Sequence, residues 1–473
     1  MSVAGRSMLD GDEDASTSAG VALFTHIMPA TRASHLFMEE DVMLLCFLVP
    51  LISLIYELIA RCWCGAGQKE QRAKVVAPAT PTSPLNGTPG AGWQPGSIYP
   101  LTEEQLDAYW KAKKMQQVLF NAARKAPREE KERVDPKWRR NGGQALEDLL
   151  PGTPLIDAQY LLCLSELGGI LPPREEMPAC ALIDDKSAWR LRTWQGFSSL
   201  SALVVSMPWL DPEHPDKHGE QLRALAPILI AVTDAAQDMG GKHATVGVFV
   251  EYSCLPYLST TDDHLINRIR WFSHPCTHVL LLNQPSASPG IFGLGGGGGP
   301  RYADSRSFGS RGWQLVEERA SCMLKYSHCY WEMANYAGGS SFEEIYKSLP
   351  AERKPLLSPP QLRQLLEEGT ASGQLSFPKP TDLEAACMLY EGSFLESFES
   401  FYQVCPGRTN LFLENKAWGA EEASLIAQAL NYAAHHCMLK KELTVHVAGG
   451  AKFAAAGSAI ADAVKGTAIR IKL

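Results

Sequence analysis

The amino-acid sequence predicts an α/β protein with a mostly parallel sheet and flanking helices, and two patterns support that class. Apolar, β-branched stretches recur at 200–210, 244–256 and 277–285, each bounded by turn-forming residues. Between the first two stretches, apolar residues from Leu222 to Val232 recur at helical period. Continuous apolar strands that alternate with helices are typical of a parallel sheet that is covered on both faces.

Size and composition limit the function classes. The chain has 473 residues, of which 45% are hydrophobic, and a formal net charge of −8. The length predicts two or three domains. The negative charge argues against a nucleic-acid partner, because phosphate binding needs a basic surface. The twelve cysteines include no CxxC pair and no zinc-type spacing, so we expect reduced thiols, a cytosolic main body and no metal site. The glycine-rich run at 293–300 leads into Pro300 and not into a helix, so we expect no cofactor either.

The N-terminal part predicts a membrane anchor. Residues 1–38 are polar and small, which favours a disordered segment. Residues 39–64 are predicted to form a transmembrane helix, because Val42–Ala60 carries a single charge, Glu57, and is long enough to cross a bilayer core of ~30 Å. A buried soluble helix and a signal-peptide core are the alternatives, and the position after about 40 residues disfavours a cleaved signal.

The flanking charges predict the orientation of this segment. Three acidic residues precede it, and the residues that follow it are basic: Arg61, Lys69, Arg72 and Lys74. By the positive-inside rule, the rest of the chain then lies in the cytosol, as a single-pass membrane protein. Cys62 and Cys64 at this edge are either S-acylated or unmodified. Residues 65–100, rich in Pro, Gly, Ser and Thr, are predicted to be a linker.

The remaining chain is divided by its patterns into four regions. Residues 101–195 are predicted to be helical, beginning with a capping box of Thr102 and Gln105. The α/β domain follows at 196–340, and a helical extension at 341–405.

Three motifs in the α/β domain resemble one family. The first, "VSMPWLDPEHPDKHGEQL", covers the end of the first predicted strand and the loop that follows it. The second, "EYSCLPY", lies at the end of the second strand, and the third, "RGWQLVE", opens the helix that follows the third strand. In this order they resemble Toll/interleukin-1 receptor (TIR)-like and heterokaryon-incompatibility-like domains of protist type, over about residues 200–330. The resemblance implies a flavodoxin-like parallel sheet and self-association through this domain.

The same resemblance implies a candidate site. Some members of the family cleave NAD with a helix carboxylate, which corresponds to Glu317 here, with Trp313 beside it. In the first loop the implied substrate-binding residues are Ser206, Trp209 and Asp211. A fixed carboxylate suits this chemistry, because loss of nicotinamide leaves an oxocarbenium-like sugar.

Two alternatives stay open at this site. Trp313 is also explained as a core aromatic that closes the helix onto the sheet, and Glu317 as a solvated helix residue. At four positions the residue differs from the one that is typical of the family motifs: Met207, Glu251, Tyr257 and Gln314. These differences favour a domain that binds a partner without catalysing a reaction.

The last region, 406–473, contains a repeated strand, loop and Gly/Ala-rich helix, beginning near Leu411 and again near Leu443. This pattern predicts a short leucine-rich-repeat-like βα tail docked on the central domain, or else a plain three-stranded α/β appendage. As a whole, the sequence predicts a membrane-anchored cytosolic signalling or interaction protein, with an NAD glycohydrolase as the alternative.

Overall fold

A computed structural model describes residues 104–105, 136–140, 142–192, 201–241, 244–256, 262–283, 307–339, 341–408 and 410–473, all within one compact unit. The predicted disordered segment, transmembrane helix and linker, at 1–38, 39–64 and 65–100, lie outside the described residues. Within the described ranges, no helix combines the length and the apolar character that a membrane crossing requires.

Nine strands form two sheets in the described residues. The strands are β1 (Leu155–Asp157), β2 (Leu182–Ile183), β3 (Ala202–Ser206), β4 (Gly247–Val250), β5 (His278–Leu281), β6 (Tyr330–Glu332), β7 (Asn410–Glu414), β8 (Leu443–Ala448) and β9 (Ile469–Lys472). The larger sheet has the order β2-β1-β4-β3-β5-β6 and the smaller one the order β7-β8-β9.

Fourteen α-helices flank the strands in the described residues. They are α1 (Pro136–Arg140), α2 (Gly143–Glu147), α3 (Ala158–Glu166), α4 (Trp189–Arg192), α5 (Glu220–Gly240), α6 (Glu251–Cys254), α7 (Asp262–Ser273), α8 (Gly312–Ser321), α9 (Phe342–Ser348), α10 (Pro359–Ala371), α11 (Asp382–Glu399), α12 (Phe401–Val404), α13 (Ala420–His436) and α14 (Ala451–Ala463). The predicted α/β class, with a mostly parallel sheet and flanking helices, is confirmed.

The central sheet is parallel through β4, β3, β5 and β6, and its strand order reverses at β3. Strand β3 lies between the next two strands of the chain, β4 on one side and β5 on the other. Because strand–helix–strand connections are right-handed, this reversal places α5 and α7 on opposite faces. Helices α3 and α9 pack on α5, whereas α8 and α11 pack on α7. All residues of β3, β4 and β5 are buried, as expected between two helical layers.

The predicted boundary between a helical region, 101–195, and the α/β domain, 196–340, is corrected by the structure. Strands β1 and β2 extend the sheet from the earlier region, with β1 antiparallel to both β2 and β4. Asp157, at the end of β1, anchors this edge: its carboxylate accepts hydrogen bonds from Thr245 Oγ1 at 2.7 Å and from Arg190 Nη1 at 2.6 Å. Strands of two and three residues are too short for a period to show in the sequence.

The smaller sheet is parallel, and its strands follow one another in chain order. Helices α13 and α14 connect the strands and pack against each other. Alternate residues of β8 are buried, and Leu443, Val445 and Val447 form the covered face. The tail therefore consists of successive strand–helix units, whichever repeat family the pattern resembles.

This tail docks on the central part of the protein, as the sequence predicted, through the buried side chain of Arg353. Its guanidinium donates to the carbonyl oxygens of Lys325 at 2.6 Å, Cys322 at 2.5 Å and Phe412 at 2.7 Å, the last of these in β7. The carbonyl oxygen of Arg353 in turn accepts from Trp418 Nε1 at 3.1 Å. One residue thus joins the central segment 322–325 to the smaller sheet.

Candidate functional site

Four polar side chains meet at the carboxyl ends of β3 and β4. Ser206 is the last residue of β3, Glu251 directly follows β4, Arg268 lies on α7, and Glu317 lies on α8. In parallel sheets this edge is where ligands bind, because helices and loops leave a crevice there. We refer to these four residues as the Arg268 network.

Arg268 holds the network together with all three of its guanidinium nitrogens. Its Nε and Nη2 lie 2.9 Å and 2.5 Å from Oε1 of Glu317, and its Nη1 lies 2.6 Å from Oε1 of Glu251. The second carboxylate oxygen of Glu317 accepts from Ser206 Oγ at 2.5 Å. Both oxygens of Glu317 are therefore engaged by protein donors.

Burial makes these contacts strong and sets the charge states. Glu317 is 2% exposed and Arg268 is 5% exposed, so the alternative of a solvated Glu317 is wrong. Burial alone lowers the pKa of Arg268, but the carboxylates of Glu251 and Glu317 outweigh burial and raise it. Burial raises the pKa of Glu251, Arg268 opposes that shift, and the Glu317 carboxylate adds to it. Two carboxylates thus share one guanidinium.

Trp313 is tied to the same guanidinium from the preceding turn of α8. The Arg268 Cζ atom lies 4.5 Å from the centre of the Trp313 ring, which is a cation–π arrangement. Trp313 is half-buried, its ring meets Phe377 edge to face, and its Nε1 donates to Asp382 at 3.2 Å. The ring therefore packs towards α11 and the segment before it. The i, i+4 spacing of Trp313 and Glu317 places both on the face of α8 that meets Arg268.

Of the predicted residues in the first loop, one lines the cleft and one does not. Trp209 lines it, and its ring meets Tyr252 edge to face at 5.6 Å between centres. Asp211 instead shapes a turn, since its Oδ1 accepts the backbone N–H of Glu213 at 3.0 Å. The structure thus brings Ser206, Trp209 and Glu317 together and leaves Asp211 in the loop.

The motif "SMPWLDPEHPDKHGEQL" forms a loop whose backbone is held in place by polar side chains of the motif itself. His214 Nδ1 accepts the backbone N–H of Asp216 at 2.9 Å, so Nε2 carries the proton and donates to the Leu171 carbonyl at 2.8 Å. The Asp216 carboxylate accepts the backbone N–H of Leu222 in the first turn of α5 at 2.8 Å, and Gln221 donates to two loop carbonyls. These polar residues hold backbone in place, and none of the three is among the residues that line the cleft.

The cleft beside the network is small. Its cavity volume is only about 10 Å³, and it is lined by Val205, Met207, Trp209, Pro215, Val250, Glu251, Tyr252 and Glu317. Sites for small molecules usually span roughly 300–1,000 Å³, so this cleft holds no dinucleotide in the conformation described. Among the described residues, no group of three or more His, Cys, Asp or Glu side chains is placed to hold a metal ion.

Sequence reasoning missed Arg268 and the role of Glu251. Glu251 appeared only as a departure from a motif, although it pairs directly with Arg268 at 2.6 Å. The signal for Arg268 was its position: on α7 it occupies the stripe that contains the buried Ile269, Trp271 and Phe272. A cation within an apolar stripe is typical of a buried pair, because an unpaired charge is costly there.

The arrangement can do two things chemically. It can fix α7 and α8 to the ends of β3 and β4 through charge-assisted hydrogen bonds. It can also present a carboxylate to a ligand, provided that Arg268 or Ser206 releases an oxygen of Glu317. Comparison of the chain with protein-family models, curated proteins and solved structures returned no match, so function has to be inferred from the fold and this site.

Proposed function

We propose that the protein is a membrane-anchored cytosolic signalling or interaction protein, built on a TIR-like α/β domain that self-associates. The strand order of the parallel part, with its reversal at β3, fits the flavodoxin-like order that the resemblance implies. The motif residues supply the loop after β3 and the helix α8. The C-terminal strand–helix units fit a short leucine-rich-repeat-like tail.

One observation favours an interaction role over a catalytic one. The carboxylate of Glu317 is buried, and both of its oxygens already accept hydrogen bonds from the protein. Arg268 and Ser206 occupy its two oxygens. A carboxylate that stabilises a sugar cation has to face the reacting carbon, and here the adjoining cleft is too small for the sugar and its base. The network is therefore proposed to hold the domain surface in shape for a partner.

A second candidate, an NAD glycohydrolase that uses Glu317, is favoured by the position of the site. The cleft lies at the carboxyl ends of β3 and β4, with two aromatic rings, Trp209 and Tyr252, beside two carboxylates. Rearrangement on self-association would have to move Arg268 away from Glu317 for this activity. The carboxylate would then stabilise the positive charge that develops as nicotinamide leaves.

Nicotinamide release distinguishes these candidates. The full-length chain, reconstituted in lipid nanodiscs and in vesicles at high surface density, is incubated with NAD. We expect no release above the protein-free control from the wild type, Glu317→Gln or Glu318→Gln. Glu318 is the matched control because it lies next in the helix and contacts Tyr330 instead. Release by the wild type and Glu318→Gln, with a loss of ~100-fold or more in Glu317→Gln, would establish the enzyme instead.

The membrane and self-association parts of the proposal have separate tests. A protein anchored through 42–60 should resist extraction by alkaline carbonate, and a C-terminal tag should stay accessible to protease added to the cytosolic side. Self-association should appear as concentration-dependent pairing of nanodisc-borne chains that carry different fluorophores. Carbonate extraction, or pairing that does not vary with density, would contradict the respective part.

A further inference from the structure

Two buried cysteines lie side by side at the opposite end of the central sheet. Cys276 precedes β5 and Cys405 follows α12, and their sulfur atoms are 3.8 Å apart although 129 residues separate them. Cys276 is 2% exposed and Cys405 is 0% exposed. A disulfide needs a sulfur–sulfur distance of about 2.05 Å, so the two sulfurs have to approach each other by about 1.8 Å to bond.

Three chain segments converge on this pair. Gly142, in the left-handed region at φ 90°, lies so close that a Cβ there would be 2.5 Å from the sulfur of Cys276 and 3.1 Å from that of Cys405. Arg408 Nη2 donates to the carbonyl of Pro275 at 3.2 Å. Gly142 thus packs against both sulfurs, and the Arg408 hydrogen bond ties the segment after Cys405 to the residue before Cys276.

The surroundings favour a thiolate at Cys405 and a thiol at Cys276, because the hydrogen bond with Cys405 and burial raise the pKa of Cys276. Lys325 Nζ donates to the carbonyl of His274 and, at 2.6 Å, to Thr277 Oγ1, on either side of Cys276. The hydrogen bond with Cys276 lowers the pKa of the Cys405 thiol, burial opposes this shift, and the positive charges of Arg408 and Lys325 add to it. A thiolate is the form that reacts with peroxides and disulfides.

The residues that directly follow Cys405 lie at the surface. The next two residues, Pro406 and Gly407, are exposed, and they form a turn that closes with a hydrogen bond from the Arg408 N–H to the Cys405 carbonyl at 2.9 Å. Opening of this turn, which also breaks the hydrogen bond from the Gly407 N–H to the Arg140 carbonyl at 2.9 Å, would give a small oxidant access to Cys405. Local opening of one turn is among the least costly motions of a folded chain.

We propose that Cys276 and Cys405 are a redox-modified pair, reduced in the cytosol and joined by a disulfide on exposure to hydrogen peroxide. The Cys405 thiolate attacks one peroxide oxygen, the O–O bond breaks, and hydroxide leaves and takes up a proton as water. The Cys276 sulfur then attacks the Cys405 sulfenic acid, the S–O bond breaks, and the departing hydroxide takes the Cys276 proton as a second water. The two electrons lost by the two thiols reduce the peroxide.

The disulfide would lock the base of β5 to the segment that leads into β7. The central sheet and the C-terminal strand–helix units would then be joined covalently as well as through Arg353. This site lies at the amino end of β5, whereas the Arg268 network lies at the carboxyl ends of β3 and β4. It takes only the cytosolic location from the proposed function and does not depend on self-association or on Glu317.

Peptide mapping of the oxidised full-length chain in nanodiscs tests the proposal without any variant. After treatment with hydrogen peroxide and blocking of remaining thiols, we expect a cross-linked peptide that contains Cys276 and Cys405, which dithiothreitol separates again. Oxidation should raise the thermal midpoint by roughly 5 °C, because the bridge closes a long loop. Cys405→Ser should lose both effects, whereas Cys387→Ser, a matched buried cysteine on α11, should retain them. Absence of this peptide in the wild type, when other thiols are oxidised, would overturn the proposal, as would an equal midpoint shift in Cys405→Ser.

Discussion

The two ends of the central sheet each hold a buried cation, and the two cations differ in their partners: one contacts carboxylates and the other contacts neutral groups. Arg268, at the carboxyl end, contacts the carboxylates of Glu251 and Glu317. Lys325, at the amino end, contacts a carbonyl and a hydroxyl, and no ion pair of Lys325 is present in the described part of the chain. The pKa of Arg268 is raised, whereas burial lowers the pKa of Lys325 to about 7.

The difference shows that the partner, and not the depth of burial, decides whether a buried group stays charged. Arg268 is 5% exposed and Lys325 is 1% exposed, so both lose their hydration. A carboxylate replaces that hydration, whereas a carbonyl and a hydroxyl do so only in part. The carboxyl end of the sheet therefore keeps its cation charged, while the amino end loses the charge of its cation near neutral pH.

The largest expected effect comes from removing the shared cation. Arg268→Met leaves the buried carboxylate of Glu317 and the half-buried carboxylate of Glu251 without their partner, and we expect a loss of about 3–5 kcal/mol in the free energy of unfolding. Arg270→Met is the matched control, because Arg270 lies two residues along α7 and pairs with Glu396 at the surface, where such pairs contribute about 0–1 kcal/mol. Urea unfolding of both variants measures the difference. Equal losses in the two would show that the network adds nothing beyond an exposed pair.

A smaller effect, which depends on pH, is expected at Lys325. Its pKa is about 7 when folded and about 10.4 when unfolded, so the unfolded state binds more protons between these values. The stabilisation is complete above the unfolded pKa and is lost as pH falls through the folded pKa. Relative to Lys325→Met, the wild type should therefore gain up to about 1.4 kcal/mol per pH unit above pH ~7.

Unfolding in urea at a series of pH values measures this slope. Lys347→Met is the control, because Lys347 is exposed and pairs only with Glu343 one turn away. Its curve should run parallel to that of the wild type. Parallel curves for Lys325→Met as well would mean that Lys325 stays charged when folded.

The smallest effect is expected at Glu251, the more exposed carboxylate of the network. Glu251→Gln keeps a one-to-one pair between Arg268 and Glu317, and the amide oxygen still accepts from the guanidinium. We expect a change within about 1 kcal/mol at pH 7. Since the folded pKa is raised above the unfolded value of about 4.3, Glu251 stabilises most below that value and less as pH rises through the folded pKa.

The variant should therefore gain stability relative to the wild type as pH increases from about 4 towards 7. Urea titrations across this range provide the measurement. A relative loss on going towards neutral pH would mean that Arg268 holds the Glu251 carboxylate charged, with a lowered pKa.

Much of the central fold was predictable because its strands are long apolar runs. The stretches at 200–210, 244–256 and 277–285 contain β3, β4 and β5. The residues with helical periodicity after the first stretch form α5. Strands β1, β2 and β6 were missed, because a strand of two or three residues is too short to show a pattern of alternating hydrophobicity. Tertiary contacts decide how such short strands pair.

The candidate site was predictable only in part. The motifs named Ser206, Trp209, Trp313 and Glu317, and the structure brings these to the Arg268 network. Arg268 lies 49 residues before Glu317 in the chain, and no local spacing links the two. Their pairing follows from the strand order, because the crossovers from β4 to β5 and from β5 to β6 run in the same direction along the sheet and place α7 and α8 on the same face.

The contacts of Arg353 couple the unfolding of the C-terminal tail to that of the central segment. Its side chain spans from the central segment to a carbonyl of β7, and its own carbonyl binds Trp418 beyond that strand. If residues 406–473 detached, a buried guanidinium and several carbonyls would lose their partners at once. Fraying of the tail and opening of the central segment therefore form one cooperative event, and amide hydrogens of β7 should exchange in step with those around Lys325. A truncation before β7 would remove part of the core and not a separable appendage.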